Sequence, residues 1–228
     1  MEDSRSATRY EVFFATISTD GTVSNPLLNV SQMEGESRSP GLVWSGSEWA
    51  VVWVNDAAGT DSLYLARIDV GGARVEAPVQ VHASTRTVEA PRLVRNATGY
   101  AAAWADTSTG NADILFKRLD WGGAELTQAV AVTSEPGEST QPDLVFQPDA
   151  GLYHLCWAGD RDGSGNIYAV TVDESGRKLA VDVRLPDAGG NSQECIVSRG
   201  FDTNAVFWAE GTGITREEIL YNYFSCTP

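Results

Sequence analysis

Histidine and cysteine are scarce in this chain, and basic residues are few. Only His82 and His154 occur among 228 residues, with Cys156, Cys195 and Cys226 as the only cysteines. No CxxC or Cys/His spacing is present, so the common zinc sites are excluded. Both histidines fall in strand-like runs, which leaves a Ser-His-Asp triad without a well-placed base. Three cysteines allow one disulfide with a free thiol, or three thiols. A Cys195–Cys226 bridge is not expected, because the two would lie at opposite ends of strands in one unit. No apolar run approaches the ~18 residues that a membrane-spanning helix requires. The start, Met1-Glu2-Asp3-Ser4-Arg5, has no apolar core of a signal peptide. A cytoplasmic protein, or one whose leader has been removed, is the expectation from that, and the Ser/Thr/Gly/Asp-rich loops favour an extracytoplasmic home.

Lysine and arginine number 16 against 31 aspartates and glutamates, for a net charge of −15 and a pI near 4.4. Such a surface repels nucleic acid and anionic lipid, and leaves neutral ligands, cations or basic proteins as partners. The acidity also serves solubility. Helical periodicity is absent: no window sustains a 3.6-residue pattern.

Repetition is what the chain has in abundance. Trp53, Trp104, Trp157 and Trp208 recur every 51 to 53 residues and close the runs EWAVVW, GYAAAW, LYHLCW and NAVFW. Upstream stand Pro40, Pro91 and Pro142, opening PGLVW, PRLVR and PDLVF, with Cys195 in the matching place of CIVSR. After each Trp come an acidic loop and a second alternating run (LYLARID, ILFKRLD, IYAVTVD, ILYNYFS). Tight turns (VGGAR, WGGAE, ESGRK) and a last strand follow. Each unit therefore reads as four short strands, A to D, and a 40–50-residue period of four strands selects an all-β propeller. The expected architecture is one domain over 1–228, a small β-propeller of about four four-stranded blades. Five blades, or part of a larger propeller, is the alternative. The repeats lie near 40–90, 91–141, 142–194 and 195–228, the last completed by 10–31, whose YEVFFATIS and TVSNPLLNVS match strands C and D. Hydrogen bonds between the last A–B–C strands and the first D strand would close the ring, as a monomer or as a pair of chains. The recurring Trp is read as packing between blades. Trp44, in an A strand, is read as core or channel lining.

The closest copies, VVWVNDAAGTDSLYLARIDVGG and AAWADTSTGNADILFKRLDWGG, resemble the repeat of bacterial secreted β-propeller proteins. CWAGDRDGSGNIYAVTVDESG departs at the Arg position, and FWAEGTGITREEILYNYFS lacks both the Arg and the Asp. The resemblance implies a fold and no activity, since the matching positions are strands and turns.

Antiparallel strands A to D bring the B–C and D–A connections to one end of the ring. That end gathers Asn55, Asp56, Asp61, Asp106, Asn111, Asp113, Asp160, Asp162, Asn166, Glu210 and Glu217, with Glu89, Glu135, Glu138, Asp187 and Glu194 from the D–A loops. Asp56, Asp106, Asp113 and Glu210, with Trp121 in the C–D turn of the second unit, are the candidate ligand-binding residues. Trp121 could stack on a sugar or lie half-buried on a neighbouring blade. Asp160, Asp162, Ser164 and Asn166 place oxygens on alternate residues, a spacing that can fold around Ca²⁺. The twelfth position is Thr171 rather than a bidentate Glu, and a solvated turn explains the same residues. Because acids recur in every unit, the expected function is a non-catalytic binding module, lectin-like or protein-binding, with no catalytic residue assigned. The alternatives are a glycoside hydrolase or lyase using loop carboxylates, or a structural scaffold of a surface protein.

Overall fold

The computed structural model describes residues 9–24, 26–186, 191–200, 203–211 and 217–225. Its first hairpin is β1 (Phe13–Phe14) and β2 (Leu28–Asn29). Blade 1 follows with β3 (Ser37–Trp44), β4 (Trp49–Asn55), β5 (Ser62–Ile68) and β6 (Val79–Ala83). Blade 2 holds β7 (Val88–Arg95), β8 (Gly99–Asp106), β9 (Asp113–Asp120) and β10 (Val130–Ala131). Blade 3 holds β11 (Ser139–Gln147), β12 (Leu152–Gly159), β13 (Asn166–Val172) and β14 (Val183–Arg184). Blade 4 has β15 (Asn191–Arg199), β16 (Thr203–Gly211) and β17 (Glu217–Ser225). All neighbours are antiparallel, in the sheet orders β1-β2, β3-β4-β5-β6, β7-β8-β9-β10, β11-β12-β13-β14 and β15-β16-β17. The molecule is an all-β propeller, and the four strands read in each unit are strands A to D of a blade.

Each of blades 1 to 3 buries one face against the sheet before it and the other against the sheet after it. Val54, Leu63 and Leu65 of blade 1 pack on Tyr100, Ala102, Trp104 and Leu119 of blade 2. Ala103, Ile114 and Phe116 of blade 2 pack on Tyr153, Leu155, Trp157 and Val172 of blade 3. Cys156, Ile167 and Ala169 of blade 3 meet Cys195, Val206 and Trp208 of blade 4. Strands B and C supply apolar side chains to both faces, as strands buried on both sides must. The recurring tryptophans are buried, as packing residues should be. Each contributes about 4–6 kcal/mol of apolar burial. The indole N–H of Trp208 reaches the Glu210 carboxylate at 3.2 Å.

The C–D turns repeat one chemistry. Asp69, Asp120 and Asp173 accept backbone N–H groups from the residues two to four ahead. Gly72, Gly123 and Gly176 follow at φ 82° to 89°, where a side chain is strained. Ser18 does the work of the Asp in the first hairpin, accepting from the N–H of Thr22 at 3.1 Å, with Gly21 at φ 85°.

Two features, the ring closure and the place of two glutamates, differ from the sequence expectation, and the cysteine pairing falls within it. The closing bonds between the ends of the repeat array are not among the described pairings. Instead β2 pairs with β1, and the hairpin packs Val12, Phe14 and Val30 on Val51, Trp53 and Ile68 of blade 1. Cys156 and Cys195 form a disulfide with Cα atoms 6.3 Å apart, which tethers strand B of blade 3 to strand A of blade 4. Cys195 is therefore not bonded to Cys226, which lies outside the described residues. Finally, Glu89 and Glu194 are not in loops; they belong to strands β7 and β15.

Candidate active site at the inner strands

The inner strand A of every blade carries the same irregularity. Its pairing with strand B shifts between Arg38 and Gly41, Glu89 and Arg92, Thr140 and Asp143, and Gln193 and Ile196. At each shift a non-glycine residue adopts left-handed φ: Ser39 (53°), Ala90 (47°), Gln141 (53°) and Glu194 (57°). Such a conformation costs about 1–2 kcal/mol per residue. Four repetitions at one position mark a built-in β-bulge, a device that re-aims side chains next to functional sites. The residue after the bulge is Pro40, Pro91, Pro142 or the disulfide-bonded Cys195. Three prolines and one cross-link thus hold the same backbone position.

The bulges in blades 2 to 4 border a cavity of about 310 Å³, lined by Glu89, Glu138, Gln141, Asp160, Asn191 and Gln193 among others. Its carboxylates are in different states. Glu138 accepts the N–H of Ala112 at 2.7 Å, and its own N–H is bound by Asp160 at 2.6 Å. Glu89 is exposed and, among the described residues, makes no side-chain hydrogen bond or ion pair. Two residues past the bulge of β11, Asp143 bridges three inner strands. It accepts the Val197 N–H of β15 at 2.8 Å and faces the Arg92 guanidinium of β7 at 3.7 Å. Burial raises the Asp143 pKa above the usual carboxylate value and outweighs the Val197 hydrogen bond and the Arg92 charge, which lower it. Glu194 sits at the bulge of β15, its N–H held by the Gln141 side chain at 3.1 Å. A free carboxylate and a carboxyl biased toward its protonated form therefore lie on adjacent inner strands.

The candidate ligand residues read from the sequence go elsewhere. Asp56 accepts the Glu36 N–H at 2.6 Å, the same clasp that Asp160 makes on Glu138. Asp106 is buried against His82, whose Nε2 lies 3.0 Å from Oδ2. Burial pushes the Asp106 pKa up, but hydrogen bonds from His82 and Ser108 prevail and hold it at about 2. Asp113 accepts the hydroxyls of Thr109 and Thr133. Glu210, fully buried, accepts from Ser192 at 2.8 Å and from Trp208. These acids join loops and strands within and between blades. Trp121 lies at the opposite end of the ring, 39% exposed and edge-on to Tyr100 at 5.3 Å. It shares no site with the four acids. Trp44 is 36% exposed and tilted on Trp49 at 4.8 Å. Asp187 lies outside the described residues, as does the Glu217 side chain.

In the 160–166 loop the two aspartates face different partners, while Ser164 and Asn166 face each other. Asp160 holds the Glu138 N–H, Asp162 accepts the Tyr168 hydroxyl at 2.6 Å, and Asn166 donates to the Ser164 carbonyl while accepting from Arg184 at 3.0 Å. A cation there would have to displace the Asp160 and Asp162 bonds. Among the described residues no group of three His, Cys, Asp or Glu side chains could hold a metal. His154 is tied to the Thr171 hydroxyl at 2.9 Å, and its burial lowers its pKa.

No protein-family model matches the sequence, and no curated protein does. Solved structures match it over nearly its full length. An endo-arabinase from Bacteroides thetaiotaomicron superposes with a TM-score of 0.57 at 11% identity, covering 96% of this chain and 95% of that one. A thermostable family-43 glycoside hydrolase gives 0.57 at 10% identity, over 90% of this chain and 72% of its own. A family-43 endo-arabinanase from Bacillus licheniformis gives 0.50 at 14% identity, over 92% and 88%. At such identity the likeness establishes the fold, a β-propeller. It also overturns the expectation of a non-catalytic binding module, because the proteins this chain superposes on are carbohydrate-cleaving enzymes.

Proposed function

We propose that this protein is a glycoside hydrolase acting on an arabinose-containing polysaccharide, with its acid–base pair on the inner strands. The observation that carries the reading is the pair Glu89 and Asp143: a carboxyl group at a polar cavity, with no partner among the described residues, and a desolvated one on the neighbouring inner strand. Glycoside cleavage needs one carboxylic acid to protonate the leaving oxygen and one carboxylate to activate water or attack the sugar. Asp143, its proton favoured by burial, is assigned the acid. Glu89, open to solvent, is assigned the base or nucleophile. Arg92 keeps Asp143 in place from the side of blade 2, and the Val197 N–H does so from blade 4.

The likeness to arabinan-degrading enzymes supports the substrate class. An extracytoplasmic setting fits a substrate too large to enter a cell, a cross-linked Cys156–Cys195 pair, and the likeness to secreted bacterial propeller repeats. The test is proton NMR of arabinan digestion by the wild type and Asp143→Asn. Wild type should release arabinose or short oligomers of one anomeric form. Asp143→Asn should be slower by about 10²–10⁴-fold, with less effect on a substrate whose leaving group needs no protonation. Equal slowing on both substrates would remove Asp143 from the acid role.

A further inference from the structure

One layer of the inner strands alternates aromatic and guanidinium side chains. Trp44, Arg95, Phe146 and Arg199 hold the same place in the four blades, opposite Trp49, Tyr100, Tyr153 and Asn204 of strand B. The layer lies at the A–B end of these strands, away from the bulges. Gln141, at the first cavity, and Phe146 are five residues apart on β11, about 17 Å along the strand.

A second cavity, of about 510 Å³, opens at this layer and is lined by blades 2, 3 and 4. Val94, Phe146 and Pro148 give it apolar walls, while Arg95 and Arg199 enter from blades 2 and 4. No Asp or Glu lines it. The first cavity, by contrast, is lined by Glu89, Glu138 and Asp160. In a chain of net charge −15, two arginines without a carboxylate reverse what composition alone supplies.

The cavity is built on fixed groups. The buried Asn96 side chain donates to the Tyr153 hydroxyl at 2.8 Å and accepts the Thr98 N–H at 2.8 Å. Phe146 tilts on Tyr153 with ring centroids 4.9 Å apart. Arg95 Nη1 donates to the Ser45 carbonyl at 2.8 Å, which positions the guanidinium and leaves its other N–H groups. Arg199 is exposed and, among the described residues, makes no side-chain hydrogen bond or ion pair. Guanidinium forks match a carboxylate, and the apolar walls match a flat ring. We infer that this cavity binds an aromatic carboxylate, its ring against Phe146 and Pro148 and its charge taken by Arg95 and Arg199. The inference does not rest on the catalytic reading, because its residues lie at the other end of the inner strands.

The probe is cinnamate, titrated into the full chain by calorimetry at low salt. One equivalent should bind, and Arg199→Gln, a change at an exposed position, should weaken binding about tenfold or more. Arg95→Gln should weaken it in the same direction. Cinnamyl alcohol, the same ring without the charge, should bind about tenfold or more weaker than cinnamate. Glu89→Gln, at the first cavity, should leave cinnamate binding unchanged. No binding to the wild type, binding indifferent to both arginine substitutions, or inorganic phosphate binding as tightly as cinnamate would overturn the inference. Loss of binding in Glu89→Gln would overturn it as well, by moving the ligand to the first cavity. Arabinan hydrolysis is read separately, so its presence or absence does not decide this result.

Discussion

At the scale of single residues, acidity is spent mostly on structure. Asp106 shows this best. Its pKa, held at about 2 by His82 and Ser108 against the cost of burial, means the folded state binds its proton less tightly than the unfolded chain does. The stability it contributes is full above the unfolded value near 4 and is lost as pH falls through about 2. Thermal unfolding between pH 5 and pH 2 should therefore show an acid limb that is smaller in Asp106→Asn. That variant should also be less stable at neutral pH by about 1–3 kcal/mol, the usual cost of disturbing a buried hydrogen-bonded carboxylate. An unchanged acid limb would mean the His82 contact is not coupled to folding. None of this pairing was legible in the sequence: Asp106 meets a histidine 24 residues away, and Glu210 meets a serine 18 residues away. A string of loop acids looks like a binding surface until the neighbouring blade is in place.

At the scale of elements, the inner-strand bulge organises the site. Ala90 adopts φ 47° and has no side chain to bond with. Ala90→Gly should relieve the left-handed strain and leave stability unchanged or raise it by up to about 1 kcal/mol, whereas the same change in a regular strand would destabilise. Chemical denaturation of the two proteins checks this. The strands and their Trp landmarks were readable, because period-2 alternation and a fixed repeat survive in any sequence that builds blades. The bulge was not, because a left-handed non-glycine residue leaves no compositional mark. Its one trace is that Ser39, Ala90 and Gln141 each precede a proline at the same place in the unit. The fourth unit replaces that proline with Cys195, and the Cys156–Cys195 bridge closes a 39-residue separation. Reduction should destabilise the chain by about 2–4 kcal/mol, seen as a lower unfolding midpoint in reductant, if the bond acts by restricting the unfolded chain. The Cys156→Ala/Cys195→Ala variant should then be insensitive to reductant.

At the scale of the whole molecule, the propeller converts a repeated sheet into a ring with its inner strands around one axis. Repetition explains why the acids recur in every unit and why that recurrence misled the functional reading. Repeated acids serve the repeated clasp, as Asp56 and Asp160 do on Glu36 and Glu138. The acids that do not repeat are the informative ones. Glu89 aligns with Arg38, Thr140 and Gln193, and Asp143 with Gly41, Arg92 and Ile196. An active site on a symmetric scaffold is expected where symmetry breaks, and these positions break it at the inner strands. The most direct measurement is the initial rate of reducing-end release from arabinan by the wild type and by Glu89→Gln, each first shown to unfold at the same temperature. Hydrolysis by the wild type, with a loss of about 10²-fold or more in Glu89→Gln, is the predicted result. A wild type that releases no reducing ends, or a Glu89→Gln variant as fast as wild type, would contradict the inner-strand site.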